Sequence, residues 1–175
     1  QGVILTSLRS AVNNHGGLLE QFLATEILPP EDGKLQALNA ALWTDGLLLY
    51  VPRNVKLDLP VRATRWLSDA GSAVFTRTLI VAEPASQVSY VEELLSEDFD
   101  RRTLVSSAVE VIARDGAQIQ YVSIQRLGRN AFCQSAQRTL AYRDSTLDTL
   151  NVATAGTIEY GAEMSHLRGH VLANM

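Results

Sequence analysis

Three groups of residues in this 175-residue sequence have types and spacing that could do chemistry. His166 and His170 are four apart with Glu163 nearby. On a strand, positions i and i+4 share a face, and two imidazoles with a carboxylate are a plausible ligand set for zinc or iron. Gly169 argues against a rigid strand there, and no thiol is adjacent. Cys133, the single cysteine, sits in the apolar stretch Ala131-Phe132-Cys133-Gln134. A sulfur-handling role would need a cationic neighbour to lower its pKa, and Arg129 and Arg138 are the local options. The blander reading is a small buried hydrophobe. The third group is Glu92-Glu93, Glu97-Asp98 and Asp100. Such carboxylates could work as acid and base or hold a divalent cation. A charge run beside Arg101-Arg102 reads more simply as a solvated loop after a strand at Val88–Val91.

Other chemistries find little support. Gly16-Gly17 and Gly156 lack the lysine and spacing of a phosphate-binding loop, and no Ser-His-Asp order stands out among the many serines and aspartates. The net charge is −4, with 46% apolar and 19% charged residues and no Lys/Arg run, which argues against nucleic acid. No apolar run has the length of a membrane span. One cysteine and no signal-peptide layout lead to an expectation of a reducing cytoplasm. The chain starts in the apolar Val3-Ile4-Leu5 and stops at His170–Met175 without a polar tail, so a partial chain is expected.

The elements that would position these groups change character near residue 46. Before it the reading is helical. Thr6 or Ser7 can cap a helix carrying Leu8, Ala11 and Val12, and the stripe resumes at Leu18, Leu19, Phe22 and Leu23 after the two glycines. Pro29-Pro30 closes that block. A third helix carries Leu35, Leu38, Ala41 and Leu42, and Asp45-Gly46 reads as the turn that ends it. From residue 47 the pattern is β: Leu47–Val51 is a short apolar run, and Val105, Val109 and Val111, then Ala117, Ile119 and Tyr121, fall on one parity. Turn signals recur roughly every 12 to 15 residues, which indicates an all-β architecture. That rhythm leaves a sandwich and a solenoid open, because strong hairpin dipeptides are few and no crisp repeat is visible.

Leu38-Asn39-Ala40-Ala41-Leu42-Trp43-Thr44-Asp45-Gly46, with Tyr50-Val51-Pro52 and Leu59-Pro60, resembles a signature of the SufB/SufD family of iron–sulfur cluster assembly. Further segments in the same order are similar: Arg77–Glu83, Val88–Glu92, Ala108–Ile112 leading through Gly116-Ala117 to Tyr121 and Gln125, and Leu167-Arg168-Gly169. The signature's physical reading is structural, with Trp43 seating a helix on the β core and Pro52 and Pro60 marking strand edges. No chemical role falls on Asn39, Trp43, Asp45, Gly46, Pro52 or Pro60.

The resemblance implies a right-handed parallel β-helix over residues 47–175, entered from a helical segment over residues 1–46. It implies a non-catalytic scaffold subunit with a SufC-like ATPase and a SufB-like scaffold as partners, or a second copy in a homodimer. The ATPase-docking helical region would follow residue 175. No cofactor is expected in this chain itself, the iron–sulfur cluster being associated with the full complex. SufB-type chains carry a cysteine where this one has Leu94, a tryptophan at Leu127, and a lysine at Gln137, beside Arg138. Gln125 alone is retained, so the resemblance is to SufD or a SufD-like paralogue. The alternatives are a carbohydrate-active β-helix enzyme, which would need a groove of carboxylates, bases and aromatics, and a β-sandwich interaction domain. An open solenoid end near Ile158, Tyr160, Met164, Leu167, Val171 and Leu172 is expected to favour self-association.

Overall fold

The computed structural model describes residues 2–25, 27–155, 158–167 and 172–174. A strand β1 (Ile4–Ser7) leads into helices α1 (Leu8–Asn14) and α2 (Gly16–Phe22), a 3-10 turn (Pro30–Asp32) and helix α3 (Lys34–Leu42). Strands then run without helices: β2 (Asp45–Val51), β3 (Val61–Leu67), β4 (Ala73–Ala82), β5 (Gln87–Ser96), β6 (Thr103–Ala113), β7 (Gln118–Arg126), β8 (Ala131–Ala141), β9 (Thr146–Ala155), β10 (Ile158–Leu167) and β11 (Leu172–Asn174).

The strands alternate between two sheets. Sheet A has the order β1-β2-β4-β6-β8-β10, and sheet B the order β11-β9-β7-β5-β3. Every pairing between successive coils is parallel, and only β1 with β2 is antiparallel. This is a parallel β-solenoid of about four turns. From β2 onward consecutive strands lie in opposite sheets and do not form hairpins, so the β-sandwich alternative is overturned. The expected coil stacking is observed: Val109, Val111, Ile119 and Tyr121 belong to one buried cluster between the sheets. Tyr90 and Tyr121, register partners on adjacent coils, stack with ring centroids 5.9 Å apart.

One corner of the coil repeats. Asn54, Ala85, Gly116 and Asp144 all have φ between 57° and 68°. Each is the third residue of a four-residue turn closed by a backbone bond: Val55 N–H to Pro52 O, Ser86 to Glu83, Ala117 to Arg114, and Ser145 to Tyr142. Successive corners are tied together by Asn54 N–H to Pro84 O, Ala85 N–H to Asp115 O and Gly116 N–H to Arg143 O. The repeat is one of backbone conformation rather than residue type, because asparagine, aspartate and glycine all enter the left-handed region readily.

The two sheets differ in their outer faces. α1, α2 and the segment after them cover sheet A: Leu8, Ala11, Leu19, Phe22 and Ile27 pack on Leu48, Leu79, Val81, Ile112 and Leu140. Strands of sheet A are therefore buried on both faces, as Leu79-Ile80-Val81-Ala82 illustrates. That accounts for their continuous apolar runs. Sheet B keeps one open face, and β3 and β7 alternate between buried or half-buried and more exposed positions.

Several sequence expectations need correction. Ser7 does cap α1, accepting from Ser10 N–H at 3.1 Å, but Ile4–Ser7 before it is a strand. Asp45-Gly46 is not a turn: both residues begin β2, paired with Thr76 and Arg77. A Cβ on Gly46 would lie 1.9 Å from the Arg77 carbonyl oxygen, so close backbone approach is what requires glycine. On α3 the apolar stripe does not point inward. Leu38 and Leu42 are exposed, and Asn39 is buried, its amide donating to Thr76 O, Ser106 O and Ser106 Oγ at 3.1–3.3 Å. Trp43, at the end of α3, packs against the cluster beneath α1 and α2.

Candidate functional site

Strand alternation places every second side chain of both sheets in the space between them. In the middle coils many of these are polar. Thr76, Ser107, Ser135 and Gln137 from sheet A face Arg65, Glu92, Ser123, Gln125 and Asn151 from sheet B around a cavity of about 260 Å³.

Glu92 is the hub of one wall. It forms an ion pair with Arg65 from the preceding coil, and accepts from Thr78 Oγ1 at 3.0 Å and from the Tyr121 hydroxyl at 2.9 Å. Arg65 donates in turn to Thr78 Oγ1 at 3.0 Å. A buried carboxylate survives when it is paired and hydrogen-bonded on both oxygens, and Glu92 is. The two charges cancel, and the remaining polar lining is hydroxyl and amide, which both donate and accept, beside the apolar Leu94, Val109 and Ala136. The cavity thus suits water or a small neutral polar group better than a bare ion.

Cys133 lies beside this cavity on β8, paired in register with Val105 and Glu159. Its thiol donates to Gln125 Oε1 at 3.3 Å. It is buried in an apolar cluster with Leu67, Leu94, Phe99, Val105 and Leu127. The two arginines that could have activated it are elsewhere. Arg129 pairs with Asp98 at 2.8 Å, and Arg138 lies 3.8 Å from Asp32 on the covered outer face of sheet A. Leu94, Leu127 and Gln125 therefore converge around the thiol, a convergence visible in the sequence only through the family resemblance. Gln137 lines the cavity itself.

The acidic run divides. Glu92 and Glu93 are not loop residues: both lie in β5 and both are buried, on opposite faces of the strand. Glu93 meets Arg62 at 2.8 Å and Thr64 Oγ1 at 3.0 Å. The hydrogen bond from Arg62, then that from Thr64, holds its carboxyl below the usual range. Asp98 and Asp100 do lie at the surface between β5 and β6. Asp98 is also held low, first by the Arg129 backbone N–H and then by its side chain.

Of the histidine pair, only His166 falls among the described residues. His166 is in β10, paired in register with Leu140, and Glu163 is in the same strand opposite Gln137. His170 and Val171 lie outside the described residues. Among the described residues no three histidine, cysteine or acidic side chains gather as a ligand set.

Sequence reasoning missed a buried pair on the other side of sheet A. Arg77 Nη2 and Glu110 Oε1 are 2.8 Å apart and essentially unexposed, and Glu110 also accepts from Ala24 N–H at 3.0 Å. Burial pushes the Glu110 carboxyl up, opposed by Arg77. The available signal was a lone glutamate inside Val109-Glu110-Val111, an apolar strand run.

Comparison with known proteins agrees with this architecture. A family profile described as "SUF system FeS cluster assembly, SufBD core domain" matches residues 65–171, and one described as "SufBD protein N-terminal region" matches residues 1–63. Similar proteins include an iron-sulfur cluster assembly SufBD family protein of Staphylococcus saprophyticus, 32% identical over 91% of this chain. Proteins of the same description from Staphylococcus aureus and Staphylococcus haemolyticus are each 31% identical over 91% of it. The chain spans 35% of the length of these relatives. With both family profiles matched in order along a parallel β-solenoid entered through short helices, the chain belongs to the SufBD family of iron–sulfur cluster assembly proteins.

Proposed function

We propose that this chain is part of a SufD-like, non-catalytic scaffold subunit of a cytoplasmic iron–sulfur cluster assembly complex, partnered by a SufC-like ATPase and a SufB-like scaffold. The observation that carries the reading is the surroundings of Cys133. Leu94 and Leu127 stand where the resemblance puts a cysteine and a tryptophan in SufB, and both close an apolar cluster around the one thiol. The Cys133 thiol donates to the Gln125 amide oxygen, and the residue is 1% exposed inside that cluster, the surroundings of a small buried hydrophobe. The iron–sulfur cluster is then the cargo of the whole assembly, with the solenoid serving as a rigid frame.

The frame itself suits that role. Coil stacking holds each strand against two neighbours, so the outer surfaces keep a fixed spacing for protein partners. The test is co-expression of the full-length protein with SufB-like and SufC-like partners, one of them tagged. Stable co-purification of all three is expected. Recovery of a SufB–SufC complex that excludes this protein, while it purifies alone, would contradict the assignment.

A further inference from the structure

A second cavity, unrelated to the solenoid interior, opens on the outer face of sheet A. It lies where α2 and the segment after it cross the ends of β6 and β8. Its volume is about 260 Å³, and Phe22, Ile27, Ile112 and Leu140 supply its apolar walls. Arg114 and Tyr142 also line it. The Arg114 guanidinium lies 4.7 Å from the Tyr142 ring centroid and 5.4 Å from that of Phe22, held against both aromatic rings.

Among the described residues Arg114 makes no ion pair, whereas Arg62, Arg65, Arg77 and Arg129 all meet carboxylates. Glu83 and Arg114 directly follow the register partners Ala82 and Ala113, yet no ion pair joins them. Aromatic contacts hold the guanidinium plane and leave its hydrogen-bonding edge for a planar anion. A fork held in place this way loses little entropy on meeting a carboxylate.

We propose that this cleft docks a short segment of a partner protein in which an acidic residue follows an aliphatic one. The carboxylate takes the Arg114 fork, and the aliphatic side chain fills the space between Ile112, Leu140, Phe22 and Ile27. Charge complementarity selects the acid, and the walls select its apolar neighbour. At about 260 Å³ the cleft falls below the ~300–1,000 Å³ of pockets for drug-sized ligands, so it takes only a few side-chain-sized groups.

The test is an NMR titration of the 15N-labelled chain with N-acetyl-Leu-Glu-amide, using N-acetyl-Leu-Gln-amide and N-acetyl-leucine as controls. The glutamate peptide should shift the amides of Phe22, Thr25, Arg114 and Tyr142. The glutamine peptide should bind about tenfold more weakly, the size of one charge-assisted hydrogen bond. Arg114→Gln should lose a similar factor while keeping its far-UV circular dichroism. Should that variant not fold, Arg114→Lys retains the charge without the planar fork and is expected to bind several-fold more weakly. Equal affinity for the two peptides, shifts that map outside the cleft, or no binding of any probe at 10 mM (roughly the weak limit of a single contact) would overturn the proposal. So would tighter binding of N-acetyl-leucine than of the glutamate peptide, which would make the cleft a small-acid pocket.

Discussion

Arg77 and Glu110 form an ion pair across adjacent strands of sheet A, 2.8 Å apart, with 1% and 0% of their side chains exposed. The backbone that follows α2 closes over them: Ala24 N–H donates to Glu110, and Arg77 donates to Leu28 O at 3.4 Å. The pair is therefore one polar fastening between the N-terminal segment and the solenoid, the Asn39 amide being another. Removing one partner leaves a buried charge without compensation, a loss of about 3–5 kcal/mol. Arg77→Met should lower stability by that order in urea unfolding, and the double variant Arg77→Met/Glu110→Leu should recover much of it. Equal destabilisation of the single and double variants would show that the charges are not coupled.

The same glutamate sets a pH dependence. Its folded-state pKa lies above the ordinary glutamate value, mainly because burial disfavours the charge. The folded state therefore binds the proton more tightly than the unfolded chain. Its contribution is fully present below the ordinary value and is lost as pH rises through the folded value. Unfolding free energies measured across that interval should decline with pH more steeply for the wild type than for Glu110→Gln. Glu93 acts in the opposite sense, since Arg62 holds it low; its contribution is lost as pH falls through its folded value. Parallel pH profiles for the wild type and Glu110→Gln would contradict the assignment to Glu110.

Gly46 permits β2 to approach the Arg77 carbonyl. Gly46→Ala should cost at least ~2 kcal/mol, in the range of overpacked cores, because the obstructing atom is backbone and cannot rotate away. Gly17→Ala is the control. Nothing lies within 4 Å of a Cβ there, and the change should be neutral or stabilising by up to ~1 kcal/mol. Thermal unfolding of both variants separates close approach from a general intolerance of alanine.

The stacked corner offers a gain. Ala85 has φ 58°, a conformation that costs a residue with a Cβ about 1–2 kcal/mol. Its neighbour up the stack, Gly116, pays nothing. Ala85→Gly should raise the unfolding free energy by up to ~1 kcal/mol after the loss to unfolded-state entropy, and Gly116→Ala should lower it. A fall in stability for Ala85→Gly would mean that the corner is not under strain.

Strand positions were legible in the sequence wherever a face was apolar. Val109, Val111, Ile119 and Tyr121 were readable as core because alternation is a local property. The coil repeat was not, for two reasons. Its corner residues are asparagine, alanine, glycine and aspartate in turn, and the spacing shortens from 31 residues between Ser89 and Gln120 to 28 between Ser106 and Gln134. Glu92 and Glu93 looked like a solvated charge run because their arginines, Arg65 and Arg62, come from the previous coil, and no local pattern announces such partners. α3 was found by its leucines, yet it docks through Asn39. Helical periodicity locates an amphipathic helix without saying which face has a partner. The leucines around Cys133 carried meaning only against the family resemblance.

The most direct measurement is of iron and acid-labile sulfide in a purified complex of the full-length protein with the SufB-like and SufC-like partners proposed for it. On the proposed reading, in which the protein is a scaffold and its buried thiol handles no sulfur, the Cys133→Ala variant should support the same iron and sulfide content as the wild type, and omitting the protein should lower both. Loss of most of the iron and sulfide in the Cys133→Ala complex, or an undiminished content when the protein is left out, would contradict the account.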